Sequence, residues 1–132
     1  MRRPGKAETG RIATDIRLRR RARTLEVWFD DGSRFELGAE YLRVYSPSAE
    51  VRGHGPGEQT LQLGKENVAI TAVEPIGRYA IKLLFDDGHS TGLYSWNLLY
   101  DLGTNKGYYW QAYLDSLERA GYPRDPGGSE GQ

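Results

Sequence analysis

The chain contains no cysteine, which excludes disulfide bonds, thiolate metal sites and cysteine nucleophiles together. Long apolar runs are also missing, and no stretch approaches the roughly 20 residues that a membrane-spanning helix needs. Neither sign of charge dominates: 18 Lys and Arg stand against 18 Asp and Glu in 132 residues. No overall field therefore draws the protein to nucleic acid or to an anionic membrane. The amino terminus lacks the apolar segment of a secretory signal. We expect one soluble, cytoplasmic domain.

One tetrapeptide, Phe-Asp-Asp-Gly, occurs twice, at residues 29–32 and 85–88. Each copy ends an apolar run, over 25–29 and over 81–85, and a second short run follows it. Asp-Gly between two strand-like runs indicates a β-hairpin, because glycine accepts a positive φ and aspartate tolerates it. The sequence therefore predicts one unit of strand, Asp-Asp-Gly turn, strand and short helix in two copies, 56 residues apart.

The remaining segments predict an α+β fold. A strand over 68–73 should end near Pro75-Ile76-Gly77. Ser95 should cap a short helix over 96–102, with Gly103 just beyond its end, and helical spacing of apolar residues predicts a last helix over about 108–120. We expect a mainly antiparallel sheet of about six strands, built from the two repeated units, with a C-terminal helix. The domain should span residues 14–121, between flexible tails at 1–13 and 122–132.

Three features invite a functional interpretation, and each has a structural one. The arginines between residues 17 and 23 could contact phosphates or could protect an edge strand from aggregation, and the balanced charge favours the edge strand. The paired aspartates could be catalytic, but turn chemistry explains Asp at a solvated hairpin tip. The glycine-rich segment 53–57 lacks the lysine and helix of a P-loop. No catalytic constellation emerges, so we expect that the protein is not an enzyme.

The two histidines, His54 and His89, allow a metal interpretation. With Asp86, Asp87 or Glu58 they could supply imidazole and carboxylate ligands to zinc or non-haem iron. No local spacing of the kind found in metal motifs supports this. The alternative is that His89 fills its turn and His54 caps a loop by hydrogen bonding.

Three stretches resemble a known family. Residues 42–51 read Leu-Arg-Val-Tyr-Ser-Pro-Ser-Ala-Glu-Val and run on to Gly-His-Gly-Pro-Gly at 53–57. Residues 77–81 read Gly-x-Tyr-Ala-Ile, and residues 85–96 read Phe-Asp-Asp-Gly-His-x-Thr-Gly-Leu-Tyr-Ser-Trp. Together with Trp-Phe-Asp-Asp-Gly at 28–32, these are similar to the gamma-butyrobetaine hydroxylase-like N-terminal domain family over about residues 14–121.

The resemblance implies a non-catalytic domain. In the eukaryotic hydroxylases it precedes a separate iron- and 2-oxoglutarate-dependent domain and binds a structural zinc through three cysteines and one histidine. Here the histidine corresponds to His89, but segment 46–51 holds no cysteine, so the resemblance implies that the zinc site is lost. The domain also occurs fused to P-loop carriers similar to iron–sulfur cluster assembly factors. The chain most resembles free-standing bacterial copies, which have no assigned activity.

The sequence thus predicts an accessory module that binds another protein and uses no cofactor. The resemblance implies a partner linked to iron–sulfur clusters or iron-dependent oxygenation. The alternative is a metal-binding protein that uses His89 with His54 and nearby carboxylates. The loop after the first helix and the residue after the second turn are expected to form the partner-binding surface, which comprises Arg43, Ser46, Ser48, Glu50, His54 and His89.

Overall fold

The computed structural model describes residues 12–47, 63–90 and 92–124. Within them, the six expected strands form two antiparallel three-stranded sheets, one for each repeated unit, instead of one continuous sheet. The fold is α+β, as predicted. Its elements are β1 Ala13–Arg19, β2 Thr24–Phe29, β3 Arg34–Gly38, α1 Ala39–Val44, β4 Ile70–Ile76, β5 Ala80–Phe85, β6 Leu93–Ser95, α2 Trp96–Thr104 and α3 Lys106–Arg119. The predicted domain and tail boundaries fall partly outside the described residues and stay predictions.

Both Asp-Asp-Gly segments form the predicted hairpin turns. The glycines have positive φ, 90° at Gly32 and 94° at Gly88. Each turn is closed by a backbone hydrogen bond across a three-residue loop, from Phe29 to Ser33 at 2.9 Å and from Phe85 to His89 at 3.0 Å. A three-residue hairpin loop needs a residue with positive φ at its end, and glycine adopts it without a Cβ clash. The repeated tetrapeptide therefore encodes the same turn twice.

The strand that contains Pro75 begins two residues later than predicted and ends where predicted. β4 runs over Ile70–Ile76, and Pro75 lies within it and pairs with Ile81. The sheet order is β4-β5-β6, so β4 is an edge strand. Proline is tolerated at an edge, where its missing N–H need not serve a neighbouring strand.

The helix after the second hairpin is also longer than predicted. Ser95 caps it, since its Oγ accepts a hydrogen bond from the Leu98 amide at 3.0 Å. Gly103 lies inside α2 instead of beyond its end. A Cβ at Gly103 would lie 2.3 Å from Cγ of Phe35. Glycine is therefore present for the close approach of the helix to β3, and a C-cap pattern in the sequence alone could not distinguish the two roles.

One hydrophobic cluster joins both sheets with α1 and α2. Two buried tyrosines of this cluster donate hydrogen bonds from their hydroxyl groups to backbone carbonyls of helices. Tyr94 of β6 is fully buried and donates to the Leu42 carbonyl at 2.6 Å. Tyr41 of α1 donates to the Leu102 carbonyl at 2.7 Å. Because buried hydroxyl groups need partners, these bonds fix how α1 packs against the second unit.

Candidate functional site

The second turn places two aspartates in different roles. Asp86 Oδ1 accepts a hydrogen bond from the Ala69 amide at 3.0 Å, beside the start of β4. Asp87 Oδ1 accepts one from the His89 amide at 3.0 Å, within its own turn. Asp87 Oδ2 faces away from the turn and accepts from side chains outside the hairpin. The turn therefore holds one carboxylate oxygen in a fixed position for other elements.

Two cations contact that oxygen. Arg43, in the last turn of α1, donates from Nε to Asp87 Oδ2 at 2.9 Å across 44 residues of sequence. Lys65 donates from Nζ to the same oxygen at 2.7 Å. The side chains of Lys65 and Asp87 are 20% and 22% exposed, while Arg43 as a residue is only 7% exposed. The polar cluster consists of these three residues together with Ser46 and His89.

Ser46 connects the end of α1 to the residue after the turn. Its Oγ lies 2.9 Å from His89 Nε2, in a hydrogen bond across 43 residues. Ser46 is 3% exposed and His89 is half-buried. A Cβ on Gly92 would lie 2.3 Å from Ser46 Oγ, so only glycine at this position leaves the serine hydroxyl room to face the imidazole.

The electrostatics follow from these contacts. Burial acts to raise the pKa of Asp87, but the hydrogen bonds from Lys65, the His89 amide and Arg43 outweigh it and lower the pKa to about 2. Burial lowers the pKa of His89. The positive charges of Arg43 and Lys65 lower it further, while the negative charge of Asp87 acts to raise it. At neutral pH the cluster therefore combines two cations, one carboxylate and a neutral imidazole.

Three of the six predicted partner-binding residues, Arg43, Ser46 and His89, meet in this cluster. The other three lie outside the described residues: Ser48, Glu50 and His54. Sequence reasoning missed Lys65, because no local motif marks this residue. Its position in the cluster depends on how the chain enters β4. The same reasoning considered Asp87 as a turn residue, a metal ligand or a catalytic acid, and did not foresee that its carboxylate pairs with two cations.

The residues of the cluster do not fit the zinc that the sequence resemblance implies. Serine hydroxyl is a neutral and weak zinc donor, and here it is hydrogen-bonded to the only imidazole of the cluster. The cations on Asp87 oppose a divalent metal electrostatically. Across residues 12–47, 63–90 and 92–124, no group of three or more His, Cys, Asp or Glu side chains is arranged to hold a metal ion. The alternative metal site also needed His54, which is outside these ranges.

The arginines of β1 have structural partners. Arg19, together with Arg34 of β3, pairs with the buried carboxylate of Glu26. Arg17 lies over the Trp28 ring, with Cζ 5.3 Å from its centroid. β1 is an edge strand, which agrees with the protective interpretation. In the part of the chain that the structure describes, no helix is long and apolar enough to cross a membrane.

Comparison with known proteins places the chain in a family. A family model described as gamma-butyrobetaine hydroxylase-like, N-terminal, matches residues 16–100, well over half of the sequence. The chain belongs to this family. No curated protein matches it. The matched range contains both hairpins and all five residues of the polar cluster.

Solved structures of related proteins share the fold of this family member. One, determined by NMR in solution, is 49% identical with a TM-score of 0.75 and covers 88% of this chain and 91% of its own. A second NMR structure is 48% identical with a TM-score of 0.78 and covers 96% and 92%. A crystal structure of a DUF971-family protein of unknown function from Acidithiobacillus ferrooxidans is 37% identical, with a TM-score of 0.57 and coverages of 69% and 91%.

Proposed function

We propose that this protein is a non-catalytic accessory module that binds another protein through the polar cluster at the second turn. The observation that carries the proposal is the convergence of Arg43 and Ser46, after the first unit, with Asp87 and His89, in the second. Charged and polar side chains from distant segments are joined at one place beside a rigid hairpin. Binding residues are commonly held in this way, on turns supported by a sheet.

The accessible part of the surface is smaller than the predicted set. Ser46 is buried and holds His89 in place. Arg43 holds Asp87 and keeps only 9% of its side chain exposed. Lys65, Asp87 and His89 keep exposed area for direct contact. We therefore expect a contact that depends on orientation and charge, with the hairpin as a rigid support.

Membership of the gamma-butyrobetaine hydroxylase-like N-terminal family supports the accessory role, since the resemblance describes a domain joined to separate catalytic or carrier domains. We propose a cytoplasmic partner linked to iron–sulfur clusters or iron-dependent oxygenation, and no contact with nucleic acid. The balanced charge of the chain agrees with a specific protein contact.

The test is affinity capture from native lysate with the full chain as bait, followed by mass spectrometry. We expect His89→Ala and Lys65→Gln to reduce capture of a specific protein, while both variants keep the melting temperature of the folded chain within a few degrees. Lys82→Gln is the matched control, because Lys82 lies on β5 and faces Glu74, 3.9 Å away. If the unmodified chain and all three variants capture the partner equally, the partner surface lies elsewhere and the proposal is contradicted.

A further inference from the structure

Arg43 has a buried nitrogen that makes no hydrogen bond. Among the described residues, Nη1 of Arg43 is the only buried side-chain polar atom without a partner. Its Nε is bonded to Asp87, so the arginine is held in place while Nη1 keeps two unused N–H donors. Leaving a charged donor buried and unpaired is unfavourable. This nitrogen therefore lacks the hydrogen-bond acceptor that a buried charged donor needs.

The charges of the polar cluster do not cancel. Arg43 and Lys65 share one carboxylate oxygen of Asp87, and the other oxygen of Asp87 is occupied by the His89 amide. The imidazole of His89 adds no negative charge. Within the five residues of the cluster, one unit of positive charge is left. An acceptor that carries a single negative charge would balance it and would also pair with Arg43 Nη1.

A carboxylate matches this requirement better than a phosphate does. It carries one negative charge, whereas a phosphorylated side chain carries about 1.5 to 2 at neutral pH. Guanidinium groups bind carboxylates and phosphates alike in a directed, planar geometry, so the amount of charge is what favours the carboxylate. The exposed parts of Lys65 and Asp87 leave an approach from their side, since each side chain keeps about a fifth of its area exposed.

We propose that Arg43 and Lys65 form a carboxylate-binding site, and that its occupant is an Asp or Glu side chain of an acidic segment in the partner protein. The site is the one in the proposed function, and the inference adds the chemistry of the partner. On binding, the carboxylate accepts from Arg43 Nη1 and pairs with the charge that Asp87 leaves uncompensated. His89 is hydrogen-bonded to Ser46 in the same cluster.

A peptide titration of the isotopically labelled full chain tests this directly. The probe is hexaglutamate, and the readouts are the Arg43 Nε–Hε signal and the backbone amides of Lys65 and His89 in NMR spectra. Hexalysine and inorganic phosphate serve as comparison ligands at matched ionic strength, because salt screens exposed charges. We expect saturable shifts at these three residues with hexaglutamate, none with hexalysine, and weaker binding of phosphate.

Arg43→Lys is the sharpest variant. It keeps a cation that can pair with Asp87 but removes the unpaired nitrogen, so we expect roughly tenfold weaker peptide binding, which is about 1.4 kcal/mol. Lys65→Gln should weaken binding to a similar extent, and this variant tests the inference by itself if Arg43→Lys does not fold. Lys82→Gln should bind as the unmodified chain does. Thermal melts show whether each variant is folded.

Folded Arg43→Lys and Lys65→Gln proteins that bind hexaglutamate as tightly as the unmodified chain would overturn the inference. Tighter binding of phosphate than of hexaglutamate would overturn the assignment to carboxylate. If partner capture depends on His89 while hexaglutamate does not bind, the proposed function stands and this inference fails. If hexaglutamate binds at the cluster while capture is independent of it, the carboxylate site stands and the proposed function fails.

Discussion

Replacing Gly103 by alanine should destabilise the protein, although the same change in most helices is stabilising. The added Cβ would lie 2.3, 2.5 and 2.6 Å from Cγ, Cδ2 and Cδ1 of Phe35. Rotation of the ring cannot relieve this, because Cγ lies on the rotation axis. The ring is also confined by edge contacts with Phe29 and Tyr100, at centroid distances of 5.9 and 5.5 Å. Either the ring and its neighbours or the helix must therefore move.

The magnitude follows from two opposing effects. Alanine gains up to about 1 kcal/mol over glycine in a helix interior, and inserting a methyl group into a closely packed contact costs about 1–3 kcal/mol. The very short contacts place Gly103→Ala near the upper end of that range, so we expect a net loss of roughly 1–2 kcal/mol. For a domain of this size, that corresponds to a melting temperature lower by about 4 °C or more.

Gly107→Ala is the matched control, because Gly107 lies in α3 and its added Cβ would meet nothing within 4 Å. It should leave stability unchanged or raise it by up to about 1 kcal/mol. Urea and thermal unfolding followed by circular dichroism measure both variants. Adding Phe35→Leu to Gly103→Ala should recover part of the loss. A Gly103→Ala protein as stable as Gly107→Ala would refute the argument that α2 is held against β3 by this contact.

Three further outcomes are expected. The pKa of Asp87 is about 2 in the folded chain and 3.8 in the unfolded chain. The stabilisation from its ionised form is therefore complete above about pH 4 and is lost as the pH falls toward 2. Allowing for screening, Asp87→Asn should lower the free energy of unfolding by roughly 1–2 kcal/mol at pH 7 and flatten the acid limb of a stability–pH curve. An equally steep acid limb would argue against this. Gly88→Val should cost at least about 1 kcal/mol in urea unfolding, because φ at this position is 94°, and unchanged stability would contradict it. Metal analysis of the purified protein should find no stoichiometric zinc; one tightly held equivalent that is lost in His89→Ala would favour the metal alternative.

The parts of the fold that could be predicted from sequence are those with a local cause. The two turns follow from Asp-Gly between strand-like runs, and the Ser95 cap follows from a hydroxyl group placed three residues before an amide that needs an acceptor. The contact between the end of α1 and the second turn could be predicted only as a shared surface, without its individual hydrogen bonds. The sequence placed Ser46 and His89 on one surface, but their hydrogen bond depends on how the two units pack.

The parts that could not be predicted depend on contacts between distant residues. Gly103 has the spacing of a helix terminator, yet the ring of Phe35, 68 positions earlier, explains its identity. Lys65 belongs to no motif, and its role is set by its contact with Asp87, 22 positions later in the chain.

The fold repeats its turns, and different side chains hold the two turns to the rest of the structure. Each helix that follows one hairpin lies against the turn of the other. Tyr100 of α2 donates to Asp31 Oδ2 in the first turn at 2.7 Å, and Arg43 of α1 donates to Asp87 Oδ2 in the second at 2.9 Å. At the first junction the side chain that reaches the turn is a tyrosine, whose ring also packs against Phe29 and Phe35. At the second junction it is a guanidinium group with an unpaired nitrogen, and Lys65 contacts the same carboxylate oxygen. The proposed binding role concerns this second junction, where a partner carboxylate would accept from Arg43 Nη1.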